Sequence, residues 1–354
     1  MTRRGRRAAI GVASILFGVS VLSGCSGAGG DNGPGGSLLS AMGAVQASPI
    51  SRASFAWSDQ HALRLLSGVT SAAGASNPKK VNPTWSRLAD VALPALVGLE
   101  PQVTTGTGID RYAGSRAMTV GLAGERAGRV DGADVATVAK RFKALGAPAT
   151  ASGGRTAYVL APDEQVDLGN AHLGGDVYLA INRVVIKGSA VAFGLAGPPV
   201  DVALGGGRSL ADDPEEAAVA ECLGDVVVAQ VWATPTGAAP GVTMIGAGVR
   251  RTSAPTDRPR EVLCEVAGVA QVDNVTAALA QGTQASALLP VSGVHARDRV
   301  AQATVDQVRK GDLRVARLTI DLVAPARAGV LLLDEGLGGM IALGGGGTPS
   351  ATGS

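Results

Sequence analysis

Aromatic and histidine residues are scarce in this 354-residue chain, which holds three Trp, three Tyr, four Phe and three His. So few rings give no obvious platform for stacking sugars or bases. Trp57, Trp85 and Trp232 are therefore expected in the core or between helices. His61, His172 and His295 stand far apart, and His-x-x-x-His, His-Glu-x-x-His and Asp-x-Asp-x-Asp are all missing. That leaves no sequence-local zinc or calcium motif. Gly-x-Ser-x-Gly is missing too, as is Cys-x-x-Cys, so neither a nucleophile elbow nor a redox or zinc pair is indicated. Ser76-Asn77-Pro78-Lys79 has Ser-x-x-Lys spacing, but Asn-Pro favours a turn over the helix that would bring the lysine to the serine. Gly106-Thr107-Gly108 and Gly205-Gly206-Gly207 lack the strand-to-helix context of a phosphate cradle and are expected to be turns. No cofactor is implied. Past the N-terminus no apolar run reaches membrane-spanning length, since Val177–Leu195 is broken by Asn182, Arg183 and Lys187.

What is present begins at the N-terminus. Arg3, Arg4, Arg6 and Arg7 precede an apolar stretch from Ala8 to Val21, then Leu22-Ser23-Gly24-Cys25. This arrangement resembles the signal peptide and lipobox of bacterial lipoproteins. The resemblance implies that residues 1–24 are removed and that the Cys25 thiol carries a diacylglycerol. The mature chain would then be tethered to the extracytoplasmic face of the cell membrane, with the lipid as its membrane contact. Loss of the four N-terminal arginines leaves 27 Lys+Arg against 29 Asp+Glu. A net charge of −2 offers no electrostatic footprint for nucleic acid.

Residues 25–37, with Gly27, Gly29, Gly30, Gly33, Gly35 and Gly36, read as a flexible stalk, and residues 344–354 as a disordered tail. With Cys25 committed to lipid, Cys222 and Cys264 remain, and an even remainder in an exported chain reads as a disulfide.

Between stalk and tail, periodicity predicts an α+β fold, with antiparallel hairpin-rich sheets and interspersed short helices. A helical region spans about 54–98, with Asp59 as N-cap to Leu63, Leu65 and Leu66. A strand at Ala117–Leu122 precedes a helix capped by Asp131 and stopped by Gly146 and Pro148. Thr156–Leu160 is a strand, and Val177–Ile186 with Ala190–Leu195 a hairpin. Asp213, Pro214 and Glu216 have the spacing of a capping box for a helix ending at Gly224. Val226–Trp232 is a strand, Val242–Val249 with Glu261–Val269 a second hairpin, and Asp273 caps a helix ending at Gly282. Leu313–Val323 is a half-buried strand, and a short helix from Pro325 closes the fold. Gly- and Pro-rich residues 197–210 divide the folded part into lobes 38–200 and 201–343, and a strand–capped helix–strand theme occurs in each.

The stretch Ser209-Leu210-Ala211-Asp212 through Glu221-Cys222-Leu223-Gly224-Asp225 resembles uncharacterised actinobacterial lipoproteins. That resemblance covers little of the chain and implies no activity. The acidic cluster Asp212, Asp213, Glu215 and Glu216 is explained by a helix first turn. Arg250, Arg251, Arg258 and Arg260 gather at a hairpin tip around Asp257, where they can meet anionic lipid headgroups or wall polymers. The leading expectation is a membrane-anchored, non-catalytic binding or accessory module of the cell envelope, acting on an unidentified envelope protein or ligand. The alternatives are an envelope hydrolase with a dispersed active site and a carrier of lipid or another hydrophobic ligand.

Overall fold

Five buried residues, Phe55–Asp59, form the strand β1 that joins the two halves of the sheet. They fall in the stretch expected to be helical. A short strand buried on both faces shows no alternation, so periodicity could not separate it from a helix. The computed structural model describes residues 36–69, 81–99, 102–163, 165, 173, 175–234, 241–284, 286–289, 292–323 and 328–334. Cys25, stalk residues 26–35, Ser76, His172, Pro325 and the tail lie outside them.

The remaining strands are β2 (Arg116–Val120), β3 (Ala127–Asp131), β4 (Ala149–Ser152), β5 (Arg155–Val159), β6 (Arg183–Lys187), β7 (Ala190–Gly194), β8 (Val226–Ala233), β9 (Val242–Arg250), β10 (Arg260–Ala267), β11 (Val300–Lys310) and β12 (Leu313–Leu322). Together with β1 they form one twelve-stranded sheet in the order β11-β12-β10-β9-β8-β1-β2-β3-β7-β6-β5-β4. Every ladder is antiparallel, and the class is α+β.

The two expected lobes correspond to two blocks of this single sheet. Residues 38–200 supply β1 to β7 and residues 201–343 supply β8 to β12, joined by the antiparallel β1–β8 pair with Trp57 opposite Ala229. Each block opens with a meander of three strands. A helix then crosses over, and the last strand returns to pair with the third: β7 on β3, β12 on β10. Residues 31–354 form one compact unit. The Gly/Pro-rich segment expected to divide the lobes is instead largely a helix, Gly197–Leu204, with Pro in its first turn, where a missing N–H costs nothing.

The helices are α1 (Leu38–Gly43), α2 (Pro49–Ala53), α3 (Gln60–Ser67), α4 (Ala89–Ala92), α5 (Gln102–Thr107), α6 (Val135–Ala144), α7 (Gly175–Ala180), α8 (Gly197–Leu204), α9 (Pro214–Leu223) and α10 (Val272–Gly282). One face of the sheet carries α1, α8 and α9 over Phe55, Trp57, Met118, Val231, Met244 and Val262. The opposite face packs α3, α10 and the π-turn Val330–Asp334 over Trp232, Ile245, Leu263 and Leu318. Helix α6 lies over Val130, Val184 and Phe193 in a third cluster. All three tryptophans are buried core residues.

Several local expectations are corrected. The cap of α6 is Asp134, accepting from Thr137 N, whereas Asp131 ends β3. Residues 177–180 belong to α7, and the hairpin is confined to β6 and β7, because the Val177/Tyr178/Ile181 spacing buries one helical face. Helix α10 has Gln271 as its N-cap, and Asp273 sits inside the first turn. The cap at Asp213 stands, accepting from Glu215 N and Glu216 N. The reciprocal half of that capping box does not form. The Glu216 carboxyl turns into the core, and neither oxygen has a hydrogen-bond partner among the described residues.

Candidate functional site: an arginine groove at one end of the sheet

Alternation along the strands decides what the α9 face presents. On β9 it shows Met244, Gly246, Gly248 and Arg250, on β10 Arg260, Val262, Cys264 and Val266, and on β12 Val315, Arg317, Thr319 and Asp321. Register aligns these into rows, with Arg260 opposite Asp321, Val262 opposite Thr319, and Cys264 opposite Arg317. The β9–β10 register, Glu261 opposite Val249 at its outer end, brings Arg250 beside Arg260 one step further on. Helix α9 covers the apolar rows, with Gly246 leaving room for Val219. It stops at Gly224, and beyond that point the strand ends lie uncovered and turn from apolar to charged.

The result is an open groove of about 800 Å³ lined by Arg250, Arg251, Arg258, Arg260 and Arg317, with Asp225, Asp257 and Asp321, and with hydroxyls from Thr252, Ser253 and Thr319. All four arginines singled out in the sequence line it. Sequence inspection missed Arg317, which sits some sixty residues away and is delivered only by the β10–β12 register. Its alternation with Leu318 and Ile320 was the available signal.

Most of these cations are paired. Arg251 bridges Asp59 and Asp225 at 3.0 Å each, Arg260 meets Asp321 at 2.7 Å, and Arg317 holds Asp306 through two nitrogens. Arg250 differs. Its Nη2 donates to the Cys222 carbonyl at 3.4 Å, at the C-terminal end of α9, and no ion pair to it occurs among the described residues. Burial, then the charge of Arg317, and also that of Arg260, hold the Arg250 guanidinium below its ordinary pKa, against the pull of Asp225. Arg258, at the exposed tip, likewise has no ion pair among the described residues; Arg250, half-buried and facing like charges, is a group that an incoming anion would stabilise.

The disulfide stands on the same face, where α9 covers the sheet next to the groove. Cys222 and Cys264 sulfurs are at bonding distance, 2.06 Å, with Cα atoms 6.2 Å apart, inside the range such a bridge requires. It ties the last turn of α9 to β10, with Cys264 opposite Arg317 and the Cys222 carbonyl accepting from Arg250. The tip itself is anchored as well. Trp85 Nε1 donates to the Pro255 carbonyl at 3.0 Å, and Ala254 N donates to Asp257 Oδ2 at 2.8 Å. Residues 253 and 255–258 of the tip stay exposed to solvent.

Gly224 makes the close approach of Arg250 possible. Its φ of +68° is one that residues with a Cβ rarely adopt, and a Cβ there would collide with Arg250 Nη1. Gly224→Ala is therefore expected to lower stability by about 1–2 kcal/mol from backbone conformation alone. It should also push Arg250 out of place, readable as a fall in denaturation midpoint with the m-value unchanged.

The other sequence candidates do not converge. His61 is in α3, while His295 precedes β11 with Nδ1 against the Ser286 carbonyl at 3.1 Å. In the acidic cluster Asp212 closes a capping box with Ser209, and Arg52 pairs with both Asp213 and Glu215 at 2.6 Å. No group of three or more metal-ligating side chains occurs among the described residues. Nor is any helix among them long and apolar enough to cross a membrane. Compared with known proteins, the chain matches no family model, no curated protein and no solved structure.

A second, smaller groove of about 400 Å³ lies on the same sheet face, lined by Ser115, Arg116, Arg129, Asp131, Gly132, Lys187, Ser189 and Ala190. Asp131 takes Arg116 Nε at 2.5 Å and Arg129 Nε at 2.6 Å. Arg129 Nη1 also reaches the Ala44 and Ala203 carbonyls at 2.9 Å, fastening α1 and α8 to β3.

Proposed function

We propose that this protein is a lipid-anchored module of the cell envelope that binds an anionic partner through the arginine groove without transforming it. The observation that carries the proposal is the convergence of Arg250, Arg260 and Arg317 on one floor, with no ion pair to Arg250 among the described residues. A guanidinium in that position offers a planar fork to a phosphate or carboxylate. Thr252, Ser253 and Thr319 supply hydroxyls around it. The lipobox-like run ending at Cys25 supports anchoring, and the bridge next to the groove fits an exported chain.

Complementation of a deletion strain tests this. Arg258→Ala/Arg260→Ala should fail to restore the wild-type phenotype while folding normally, and Cys25→Ala should release the protein or leave it unprocessed. His61→Ala, His172→Ala, His295→Ala and Ser76→Ala should each complement. Loss of function from any one of those four, with the fold intact, would favour the hydrolase alternative instead.

A further inference from the structure

The two grooves share more than a face. Register places one set of strand ends together: Asp59 opposite Arg116, Arg116 opposite Asp131, and Asp131 opposite Ala190. Across the β1–β8 junction the same end continues through Val226 opposite Arg250 and Arg260 opposite Asp321. From β6 to β12 is eight strand spacings, about 38 Å. Along it lie Arg116, Arg129, Lys187, Arg250, Arg251, Arg258, Arg260 and Arg317. Against these eight cations stand six carboxylates, Asp59, Asp131, Asp225, Asp257, Asp306 and Asp321. The rest of the chain from residue 25 onward carries nineteen cations and twenty-three carboxylates. The excess of positive charge is thus confined to this end, and the remainder is net negative.

The chain enters the described fold at the same place. A Cβ on Gly36 would stand 4.0 Å from Arg116 Nη1, and Ser37 opens α1 immediately afterwards. Cys25 is only eleven residues upstream. Fully extended, that span reaches no more than ~40 Å. A tether attached at the basic end, and that short, makes a second contact by this end intramolecular, at an effective concentration of order millimolar.

We infer that this basic end is a membrane-facing surface that seats on the phosphates of anionic lipid headgroups, acting with the Cys25 lipid as a two-point anchor. The inference rests on the proposed function and specifies the anionic partner. The diacylglyceryl group of the expected anchor holds the chain at the bilayer, and a basic patch adds attraction to anionic headgroups, which orients the sheet end toward them. Tether position, charge sign and the open Arg250 guanidinium all coincide at one end of the sheet.

The test uses residues 25–354 with Cys25→Ser, purified without lipid and containing the whole compact unit. Co-sedimentation is measured with vesicles of phosphatidylcholine alone and of phosphatidylcholine mixed with phosphatidylglycerol, at low and high salt. Binding is expected to the mixed vesicles only, and to weaken steeply with salt. Arg258→Gln/Arg260→Gln should reduce it about 20–30-fold, at roughly fivefold per neutralised arginine. Arg116→Gln, in the other groove, should cost about fivefold. The control Arg141→Gln/Lys143→Gln, on exposed positions of α6 over the opposite face, should leave binding unchanged. Thermal midpoints confirm that each variant folds.

Equal binding to neutral and anionic vesicles, no binding to either, or an equal loss in the control overturns the inference. So does retention on an anionic wall polymer with none on vesicles. If vesicle binding fails while Arg258→Ala/Arg260→Ala still loses complementation, the groove keeps an anionic partner and only its membrane identity falls. If vesicle binding holds and that variant complements, the membrane contact stands and the groove's proposed role falls.

Discussion

Removing the Cys222–Cys264 bridge, by Cys222→Ala/Cys264→Ala, will lower unfolding free energy by about 4 kcal/mol, the loop-closure entropy of a forty-residue loop. The bridge spans a sequence separation of 42 and joins the last turn of α9 to the interior of β10. Both cysteines are buried, so the thiol-free variant also loses packing between that helix and the sheet. Guanidinium titrations of wild type, of wild type with reductant, and of the double variant are the measurement. The first should exceed the other two, which should agree within about 1 kcal/mol. Because Arg250 bonds to the Cys222 carbonyl, anion binding by the groove should weaken along with stability. A double variant as stable as wild type would mean that the bridge constrains nothing the rest of the sheet does not already hold.

The second large effect concerns acids inside the core. Glu261 and Glu265 lie on the same face of β10, four residues apart. Glu261 is satisfied, accepting from Gly329 N, Val330 N and Leu331 N at 2.5–2.9 Å, so that it caps the π-turn. Glu265 and Glu216 have no hydrogen-bond partner for either oxygen among the described residues. Burial pushes each carboxyl up to about 8, and for Glu216 the Asp213 and Glu215 charges add to it while Arg52 opposes. The sign follows from proton counting. In the unfolded chain these groups ionise near 4.5, but in the fold they keep their proton to about 8. Their contribution is fully present below pH 4.5 and is lost as pH rises to 8. The slope is about 1.4 kcal/mol per pH unit per group.

Glu265→Gln should therefore match wild type near pH 4 and exceed it by about 3–4 kcal/mol at pH 8. Glu265→Leu should do at least as well, since it removes the unsatisfied oxygens as well as the charge. Chemical denaturation across pH 4–9 on wild type and both variants isolates this slope from that of the paired aspartates. Parallel curves would show that Glu265 ionises freely in the fold.

Much of this molecule was set by local sequence. Asp213-Pro214 and Gly224 fix the two ends of α9, because a cap, a proline and a positive φ act within a few residues. The β9–β10 hairpin was legible as two strand-like runs flanking a turn, β12 followed from alternation, and the pairing of Cys222 with Cys264 from their being the even remainder. Four arginines near residue 255 were visible as a basic tip. Tertiary structure decided the rest. Strand β1 carries no period because both its faces are buried, and the joining of two sequence halves into one sheet depends on that strand finding β8. Arg317 reaches the groove only through the β10–β12 register. Glu216 has perfect capping-box spacing, yet its side chain enters the core, because which way a first-turn side chain points depends on what covers the helix. Local chemistry placed the ends of elements. Only the assembled sheet brought Arg250, Arg260 and Arg317 together at one end, since register and burial relate residues that no sequence window holds together.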